Sequence, residues 1–244
     1  MKAVILAGGA GTRLRDIIAD VPKPMAEVSG KPFLEYLVLQ LLRNGISEVI
    51  ISIGYKGDVI ESYFGSGEKW NAKITYSMED TPLGTGGGMK KAAPLIEDDS
   101  FLVMNGDSFL DLNIKEFSSY HKKKKAIATI GLASLDDTGR YGKVEINERN
   151  EVVSFVEKKA NGQGLINGGV YLFNREIIDR IPDGKVSLET EVLPALINHG
   201  LYGMVVNGYF IDIGLPQDYL HLLSLSGGNI SEPAILSDSK IKAG

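Results

Sequence analysis

The first half of the chain alternates short apolar runs with segments of helical periodicity. The apolar runs predict buried strands at residues 4–7, 48–54, 73–78 and 100–107. The amphipathic segments between and after them predict helices at residues 31–45, 59–64, 84–95 and 113–125. Alternating strands and helices are typical of a doubly wound α/β sheet, in which ligands bind beyond the carboxyl ends of the strands.

From residue 126 the pattern becomes more mixed. Strands are predicted at residues 126–134, 142–147, 152–157, 165–174 and 203–213. Helices are predicted at residues 175–180, 188–198 and 215–225. No linker rich in proline, serine or charge separates the two halves. We therefore expect one domain over residues 1–225, followed by a polar, loosely held tail over residues 226–244.

A glycine-rich loop follows the first strand and contains Gly8, Gly9 and Gly11. A bare backbone at the end of a strand suits close approach by a phosphate or a base. Arg13 and Lys23 follow, and a planar guanidinium with a mobile ammonium group forms a clamp for a polyphosphate. The spacing is neither G-x-G-x-x-G nor a Walker loop. Taken alone, the glycines are equally compatible with an ordinary strand-to-helix turn.

Composition and charge narrow the range of partners. The chain has 244 residues, with 26 Lys+Arg against 31 Asp+Glu and a net charge of −5, which argues against nucleic acid. It contains no cysteine, so disulfide and thiolate chemistry are excluded. The start shows no leader pattern, and no apolar stretch approaches the ~20 residues of a membrane span. We expect a cytoplasmic enzyme or binding protein without a membrane partner.

Two acidic residues end or interrupt apolar runs. Asp107 follows the run at 100–106, so its carboxylate is expected at the same sheet edge as the glycine loop. An acid there suits Mg²⁺, which takes one or two carboxylates plus phosphate oxygens. Asp212 lies between apolar residues, where a charge is costly unless it is paired or coordinated. Near Asp107 it would complete a metal site, whereas beside a lysine alone it would be structural.

Four further segments carry groups suited to a sugar phosphate or a base. Glu157 and Lys158 end a strand, where the acid can accept from vicinal hydroxyls and the base can neutralise a phosphate. Asn167 and Gly142 offer an amide and a bare backbone, although glycines inside strands are often bulges. The fourth segment, residues 79–88, presents backbone groups at a helix start, and its Glu79 could accept from guanine N1 and N2 or cap the helix.

Taken together and in order, these motifs resemble the sugar-1-phosphate nucleotidylyltransferases from Met1 to about Leu225. The matching strings are G-G-x-G-T-R, P-K-P, G-D, V-E-K, N-G-G and D-I-G. The resemblance implies a Rossmann-like nucleotidyltransferase fold, with a mixed, mostly parallel sheet flanked by helices. It also implies that a nucleoside triphosphate and a sugar 1-phosphate react to give an NDP-sugar and pyrophosphate. Residues 1–125 would then bind the nucleotide and residues 126–225 the sugar phosphate.

The resemblance also implies roles for individual residues. The catalytic residues would be Arg13, Lys23 and Asp107, and Mg²⁺ would be bound by Asp107 and Asp212. The nucleotide would be bound by Leu6, Ala7, Gly8, Gly9, Gly11, Thr12, Arg13, Glu79, Gly84 and Thr85. The sugar phosphate would be bound by Gly142, Glu157, Lys158 and Asn167.

The choice of base and sugar stays open between relatives. The string E-x-x-P-L-G-T-x-G is similar to that of mannose-1-phosphate guanylyltransferases, and the short length to that of heptose-1-phosphate guanylyltransferases. The triple glycine at 86–88 resembles short uridylyltransferases acting on muramate 1-phosphate. We expect the substrates to be GTP and D-glycero-D-manno-heptose 1-phosphate. The alternatives are GTP with mannose 1-phosphate, and UTP or dTTP with another sugar 1-phosphate.

The reaction expected is direct in-line attack on the α-phosphorus, because no signature segment contains a nucleophilic serine, histidine or cysteine. A different class of function is a catalytically silent, nucleotide-sugar-sensing subunit of an active partner. The retention of both acids and both cations argues against that class. A homo-oligomer formed through residues 201–206 and the last helix is left open.

Overall fold

The computed structural model describes residues 1–9, 11, 18, 21–156, 162–214 and 216–226. Four predicted site residues, Thr12, Arg13, Glu157 and Lys158, lie outside these ranges, as does the predicted tail beyond Ser226. Within these ranges, no helix is both long enough and apolar enough to cross a membrane.

Strands and helices alternate through the first half, as the hydrophobic pattern predicts. The strands are β1 (Ala3–Leu6), β2 (Glu27–Val28), β3 (Lys31–Pro32), β4 (Glu48–Ile53), β5 (Lys73–Met78), β6 (Ser100–Asn105), β7 (Ser108–Leu110), β8 (Ala128–Leu135), β9 (Lys143–Ile146), β10 (Val152–Val156), β11 (Gly164–Asn174), β12 (Leu201–Val206) and β13 (Phe210–Asp212). The helices are α1 (Phe33–Arg43), α2 (Gly57–Phe64), α3 (Gly84–Ala92), α4 (Ile114–Lys124), α5 (Leu193–Ala195) and α6 (Pro216–Ser226).

A mixed sheet runs through both halves in the order β10-β9-β11-β6-β1-β4-β5, with β8 pairing β11 and β12. The strands β6, β1, β4 and β5 are parallel, whereas β11 joins β6 antiparallel. This mixed sheet flanked by helices confirms the predicted fold class. The carboxyl ends of β1 and β6 lie side by side, so the segments that follow them meet at one edge.

Each face of the sheet carries its own apolar core. Alternate residues of β1 enter different cores, because successive side chains of a strand point to opposite faces. Ala3 and Ile5 pack with α1, whereas Val4 packs with Met89 of α3. Helices therefore cover both faces and leave the strand ends free to form a site.

Two predicted elements are wrong in detail. The expected strand 203–213 is two strands that pair with different partners, β12 with β8 and β13 with β7. The chain passes so close to Asp111 at Gly208 that a side chain there would strike the Asp111 carbonyl. The expected helix 188–198 is a π-helical turn, Leu188–Val192, capped by the Ser187 hydroxyl and followed by the short α5.

Three short strands were missed by the sequence pattern. The strands β2 and β3 form a hairpin around Ser29 and Gly30, both of which have positive φ. The third, β7, pairs antiparallel with β13 and sets Ser108 opposite Asp212. Strands of two or three residues are too short to show a periodicity of two.

Candidate active site

Two adjacent cavities open at the carboxyl edge of the parallel strands. The first, here called the glycine-loop cavity, measures about 490 Å³ and the second, the Asn167 cavity, about 520 Å³. Asn105, Asp107 and Glu189 line both cavities and mark the place where they meet. Two ligands bound in these cavities would therefore touch at Asp107.

Most of the predicted site residues line one or the other cavity. The glycine-loop cavity is lined by the predicted residues Leu6, Ala7, Gly8, Gly9, Gly11, Lys23, Glu79, Gly84, Thr85 and Asp107. The Asn167 cavity is lined by the predicted residues Gly142, Asn167, Asp107 and Asp212. The structure brings these residues together, and their individual roles stay predictions.

Tight packing explains why the loop after β1 is made of glycine. A methyl group on Gly8 would overlap the Glu79 carboxylate, and one on Gly11 would lie 2.7 Å from the Lys23 Cβ. Gly11 also has a φ of +57°, a conformation that favours glycine. The loop thus presents bare backbone between Glu79 on one side and Lys23 on the other.

Lys23, Asp107 and Asp212 form a charged cluster beside the junction. The Lys23 Nζ lies 2.5 Å from the Asp107 Oδ2, and the lysine side chain is only 14% exposed. The β7–β13 pairing brings Asp212 to this point, and the Ile213 N–H donates to the Asp107 carbonyl at 2.9 Å. Residues far apart in sequence are therefore fixed to each other by backbone hydrogen bonds.

Asp212 is the strongly perturbed acid of the cluster. Burial raises its pKa to about 6 and the neighbouring Asp107 adds to the effect, whereas Lys23 opposes it. The Gly214 N–H also donates to the Asp212 Oδ1 at 2.5 Å. Two carboxylates held this close repel each other, so a bound cation would favour the charged form of both. The described residues offer no group of three or more acidic or histidine ligands.

Glu79 lies on the wall of the glycine-loop cavity and also accepts hydrogen bonds from neighbouring residues. Its Oε1 accepts from the Ser52 hydroxyl at 2.9 Å, and its Oε2 accepts from the Leu83 N–H at 3.1 Å just before α3. Each carboxylate oxygen has two lone pairs, so these bonds leave capacity for a ligand. Capping and ligand binding, the two roles considered for Glu79, are therefore compatible.

Gly84 and Thr85 begin α3 at the rim of the same cavity. Gly84 has a φ of +71°, and a methyl group on it would lie 2.5 Å from the Val186 carbonyl oxygen. The Thr85 hydroxyl donates to the Glu189 Oε2 at 2.6 Å and accepts from the Leu188 N–H at 2.8 Å. These contacts tie the start of α3 to the π-helical turn.

The Asn167 cavity combines an aromatic wall with an ordered amide. The rings of Tyr141 and Phe210 pack edge to face with their centroids 5.8 Å apart. Burial raises the pKa of the Tyr141 hydroxyl, and the negative charge of Asp212 adds to this effect. The Asn167 Oδ1 accepts from the Gly169 N–H at 3.0 Å, within a bulge of β11. Its Nδ2 donates to the Tyr171 hydroxyl at 2.9 Å. Aromatic rings and an oriented amide suit a sugar, which has apolar faces and hydroxyl edges.

Several cavity residues escaped the sequence analysis. Asn105 ends β6 two residues before Asp107, and its Oδ1 is buried without a hydrogen-bond partner among the described residues. The rule that identified Asp107, a polar residue at a strand end, also applies to Asn105. Glu189 lies in the π-helical turn and Lys185 in the loop before it, and no hydrophobic period in the sequence marks either residue.

Comparison with known proteins identifies the family. The Nucleotidyl transferase family model matches residues 2–225. The chain is 41% identical to a D-glycero-alpha-D-manno-heptose 1-phosphate guanylyltransferase of Campylobacter jejuni, covering 91% of this chain and 99% of that protein. It is 40% identical to a mannose-1-phosphate guanylyltransferase of Mycobacterium tuberculosis, covering 90% of this chain and 63% of that protein.

A solved structure agrees with both sequence comparisons. HddC from Yersinia pseudotuberculosis, complexed with GMP-PN, is 39% identical and superimposes with a TM-score of 0.82, covering 91% of this chain and 98% of that one. Nucleotidyltransferases of this family generally use a divalent metal ion. The chain belongs to the nucleotidyl transferase family, as its motifs predict.

Proposed function

We propose that this enzyme is a sugar-1-phosphate guanylyltransferase that joins GTP to D-glycero-α-D-manno-heptose 1-phosphate. The observation that carries the proposal is the meeting of two cavities at Asp107, one lined by the glycine loop and one by an aromatic wall. The near-complete mutual coverage with the Campylobacter jejuni heptose enzyme supports this sugar. The likeness to a protein solved with GMP-PN supports the guanine base.

In this proposal, the nucleotide occupies the glycine-loop cavity. The bare backbone of Gly8, Gly9 and Gly11 allows close approach of the nucleotide, and Lys23 neutralises phosphate charge. Glu79 accepts hydrogen bonds from guanine N1 and N2, because its oxygens keep lone pairs beyond those used by Ser52 and Leu83. The resemblance to the family assigns Arg13 and Thr12 to the triphosphate as well, together with the glycine loop and Lys23.

The sugar phosphate occupies the Asn167 cavity. The Asn167 amide and the backbone at Gly142 hold it from one side, and Tyr141 packs against its apolar face. The resemblance to the family assigns Glu157 and Lys158 to the sugar phosphate as well. A nucleoside triphosphate is a cytoplasmic substrate, so we assign the reaction to the cytoplasm.

Asp107 and Asp212 would hold Mg²⁺. Their chemistry fits the ion: two carboxylates converge beside the junction of the cavities, and burial and mutual repulsion raise the pKa of Asp212. Mg²⁺ takes one or two protein carboxylates and completes its shell with phosphate oxygens and water. When bound there, the ion supplies charge neutralisation for the phosphates.

The reaction is a single in-line displacement. An oxygen of the sugar phosphate forms a bond to the α-phosphorus of GTP, the bond from that phosphorus to the β-phosphate oxygen breaks, and pyrophosphate leaves with the electron pair. Binding both reactants in adjacent cavities supplies much of the rate by proximity and orientation. Lys23 stabilises negative charge on the phosphates in the transition state.

Mannose 1-phosphate is the second candidate sugar. The 40% identity to the Mycobacterium tuberculosis enzyme supports it, although this chain spans only 63% of that protein. The two sugars differ at the end remote from the phosphate, so side chains that line the Asn167 cavity are candidates for telling them apart.

The test is pyrophosphate release with Mg²⁺. GTP, UTP, dTTP, CTP and ATP are each combined with the 1-phosphates of heptose, mannose, glucose and muramic acid. Highest kcat/KM with GTP and heptose 1-phosphate is the expected result. A preference for mannose 1-phosphate or another nucleotide would replace the sugar or the base. Nucleotide binding with no turnover in any combination would favour a sensing subunit and overturn the proposal.

A further inference from the structure

Glu189 lies where the two cavities meet and bonds to both halves of the site. Its Oε2 accepts from the Thr85 hydroxyl at 2.6 Å and from the Ser187 hydroxyl at 3.1 Å. Its Oε1 accepts from the Tyr171 hydroxyl at 3.3 Å, and the Asn105 amide lies 3.5 Å away. This carboxylate takes no direct part in the proposed displacement.

The contacts of Glu189 form a relay with a fixed direction. A carboxylate can only accept hydrogen bonds, so the Tyr171 hydroxyl must donate its one hydrogen to Glu189. The Tyr171 side chain is fully buried, and burial together with Glu189 raises the pKa of its hydroxyl well above the ordinary value. The tyrosine therefore keeps its proton and can only accept from its two amide neighbours, Asn167 and Asn105.

Asn167 lines the cavity proposed for the sugar phosphate, and its amide is oriented by the relay together with the Gly169 N–H. The Asn167 Nδ2 donates to the Tyr171 oxygen at 2.9 Å, while its Oδ1 accepts from the Gly169 N–H at 3.0 Å. These bonds use one of the two amide hydrogens. Since Asn167 lines the cavity proposed for the sugar phosphate, the second hydrogen is available to an oxygen of that ligand.

We propose that Glu189 is a positioning residue that sets the hydrogen-bond direction of the Glu189–Tyr171–Asn167 relay and so presents the Asn167 amide as a donor to the sugar phosphate. The inference rests on the proposed function, because that function assigns the Asn167 cavity to the sugar phosphate. Glu189 acts through Tyr171 and is not itself a catalytic residue.

Replacing Glu189 with glutamine would remove this direction at almost constant volume. A glutamine amide can donate to the Tyr171 oxygen, which frees the tyrosine hydrogen to turn toward Asn167. The Asn167 side chain would then face two donors, the Tyr171 hydroxyl and the Gly169 N–H. Its one carbonyl oxygen can point to only one of them, so neither orientation of the amide accepts both hydrogen bonds. The amide would lose its fixed orientation.

The experiment compares Glu189→Gln, Tyr171→Phe, the double variant and a matched control, Glu191→Gln. Glu191 lies on the same turn, is exposed, and accepts from the Ser187 N–H at 2.8 Å, so its variant makes the same chemical change outside both cavities. Steady-state kinetics are measured with GTP and heptose 1-phosphate, varying each substrate in turn. Mannose 1-phosphate is tested in parallel.

Glu189→Gln should raise the KM for the sugar phosphate roughly tenfold or more, the effect of a buried hydrogen bond left unsatisfied, and change the KM for GTP much less. Tyr171→Phe should do the same, and the double variant should match Tyr171→Phe alone because both changes break one relay. Equal rises in both KM values, independent effects in the double variant, or the same loss in Glu191→Gln would overturn the proposal.

A second measurement does not depend on turnover. Hydrogen exchange of the Asn167 side-chain amide is followed by NMR on the free protein, with the signal assigned through its loss in Asn167→Asp. Exchange should be slow in the wild type and in Glu191→Gln, and faster in Glu189→Gln. Unchanged exchange in Glu189→Gln would refute the relay. A wild type with this exchange pattern but no turnover would instead refute the proposed function.

Discussion

Lys23 offers a direct test of the proposed chemistry, because its charge can be removed with little change in packing. Lys23→Met keeps an unbranched side chain of similar length in a position that is only 14% exposed. What it removes is the ammonium group 2.5 Å from the Asp107 carboxylate. Methionine adapts well to such a position because its chain is flexible.

Two effects of this change differ greatly in size. The Asp107 side chain is 38% exposed, so the ion pair contributes little to folding, about 0–1 kcal/mol. The catalytic effect is larger, because losing one group that stabilises transition-state charge costs on the order of 10² to 10³ in kcat, or about 2.7–4 kcal/mol. The variant should therefore fold normally and turn over on the order of a hundredfold more slowly.

The assay is pyrophosphate release with saturating GTP and heptose 1-phosphate, with circular dichroism and thermal unfolding as folding checks. Lys90→Met is the matched control, since Lys90 pairs with Asp183 at 2.6 Å away from both cavities. The control should keep wild-type turnover. If folded Lys23→Met retained a kcat within about tenfold of the wild type, Lys23 would not be acting on the transition state.

Three further results are expected. Asp212→Asn should lower turnover on the order of a hundredfold, the scale of one lost electrostatic contact, and shift the Mg²⁺ titration of pyrophosphate release to higher concentrations; an unchanged titration would exclude Asp212 as a ligand. Gly169→Ala should cost roughly 1–3 kcal/mol in thermal unfolding, because φ is +73° and the methyl group overlaps the Ser108 hydroxyl. Gly162→Ala, where φ is also positive but no atom of the described residues lies within 4 Å of the added methyl group, should cost less, and an equal cost would contradict the overlap. Burial lowers the pKa of His121, so the unfolded chain takes up a proton below about pH 6.5 that the folded protein resists. His121 should therefore lower the free energy of unfolding by urea as pH drops from 7.5 to 5, opposing Asp212, whose raised pKa lets the folded protein take up a proton in this range. His121→Gln should remove the His121 contribution, so the free energy of unfolding should change less favourably toward pH 5 in the wild type than in the variant; identical pH profiles would show that His121 makes no such contribution.

The sequence predicts those parts of the site that demand an unusual residue. Gly8 and Gly11 are readable because close packing and positive φ exclude side chains there. Asp107 and Asp212 are readable because a charge next to an apolar run needs a reason. Each of these signals is local, so a single chain is enough to find it.

Glu189 could not be found this way, because its place in the site depends on tertiary contacts. Its bonds to Thr85 and Tyr171 connect three separate elements of the fold. The π-helical turn that holds it has no regular hydrophobic period, and the adjacent Glu191 looks the same in the sequence while pointing elsewhere. The break in the predicted strand 203–213 also depends on a tertiary contact, because the chain packs against Asp111 at Gly208.

The ribbon formed by β7 and β13 has a consequence for how the enzyme regains activity after denaturation. It fixes Asp212 beside Asp107 through backbone bonds that close a loop of roughly a hundred residues, one of the slower steps available to a chain. The helices of the first half and the β1–β4 and β4–β5 pairings form from contacts nearer in sequence, whereas the β1–β6 pairing closes a loop about as long as that of the ribbon. Catalytic competence should therefore return later than helical circular dichroism during refolding, and a chain cut between the two strands should recover activity only when both pieces associate.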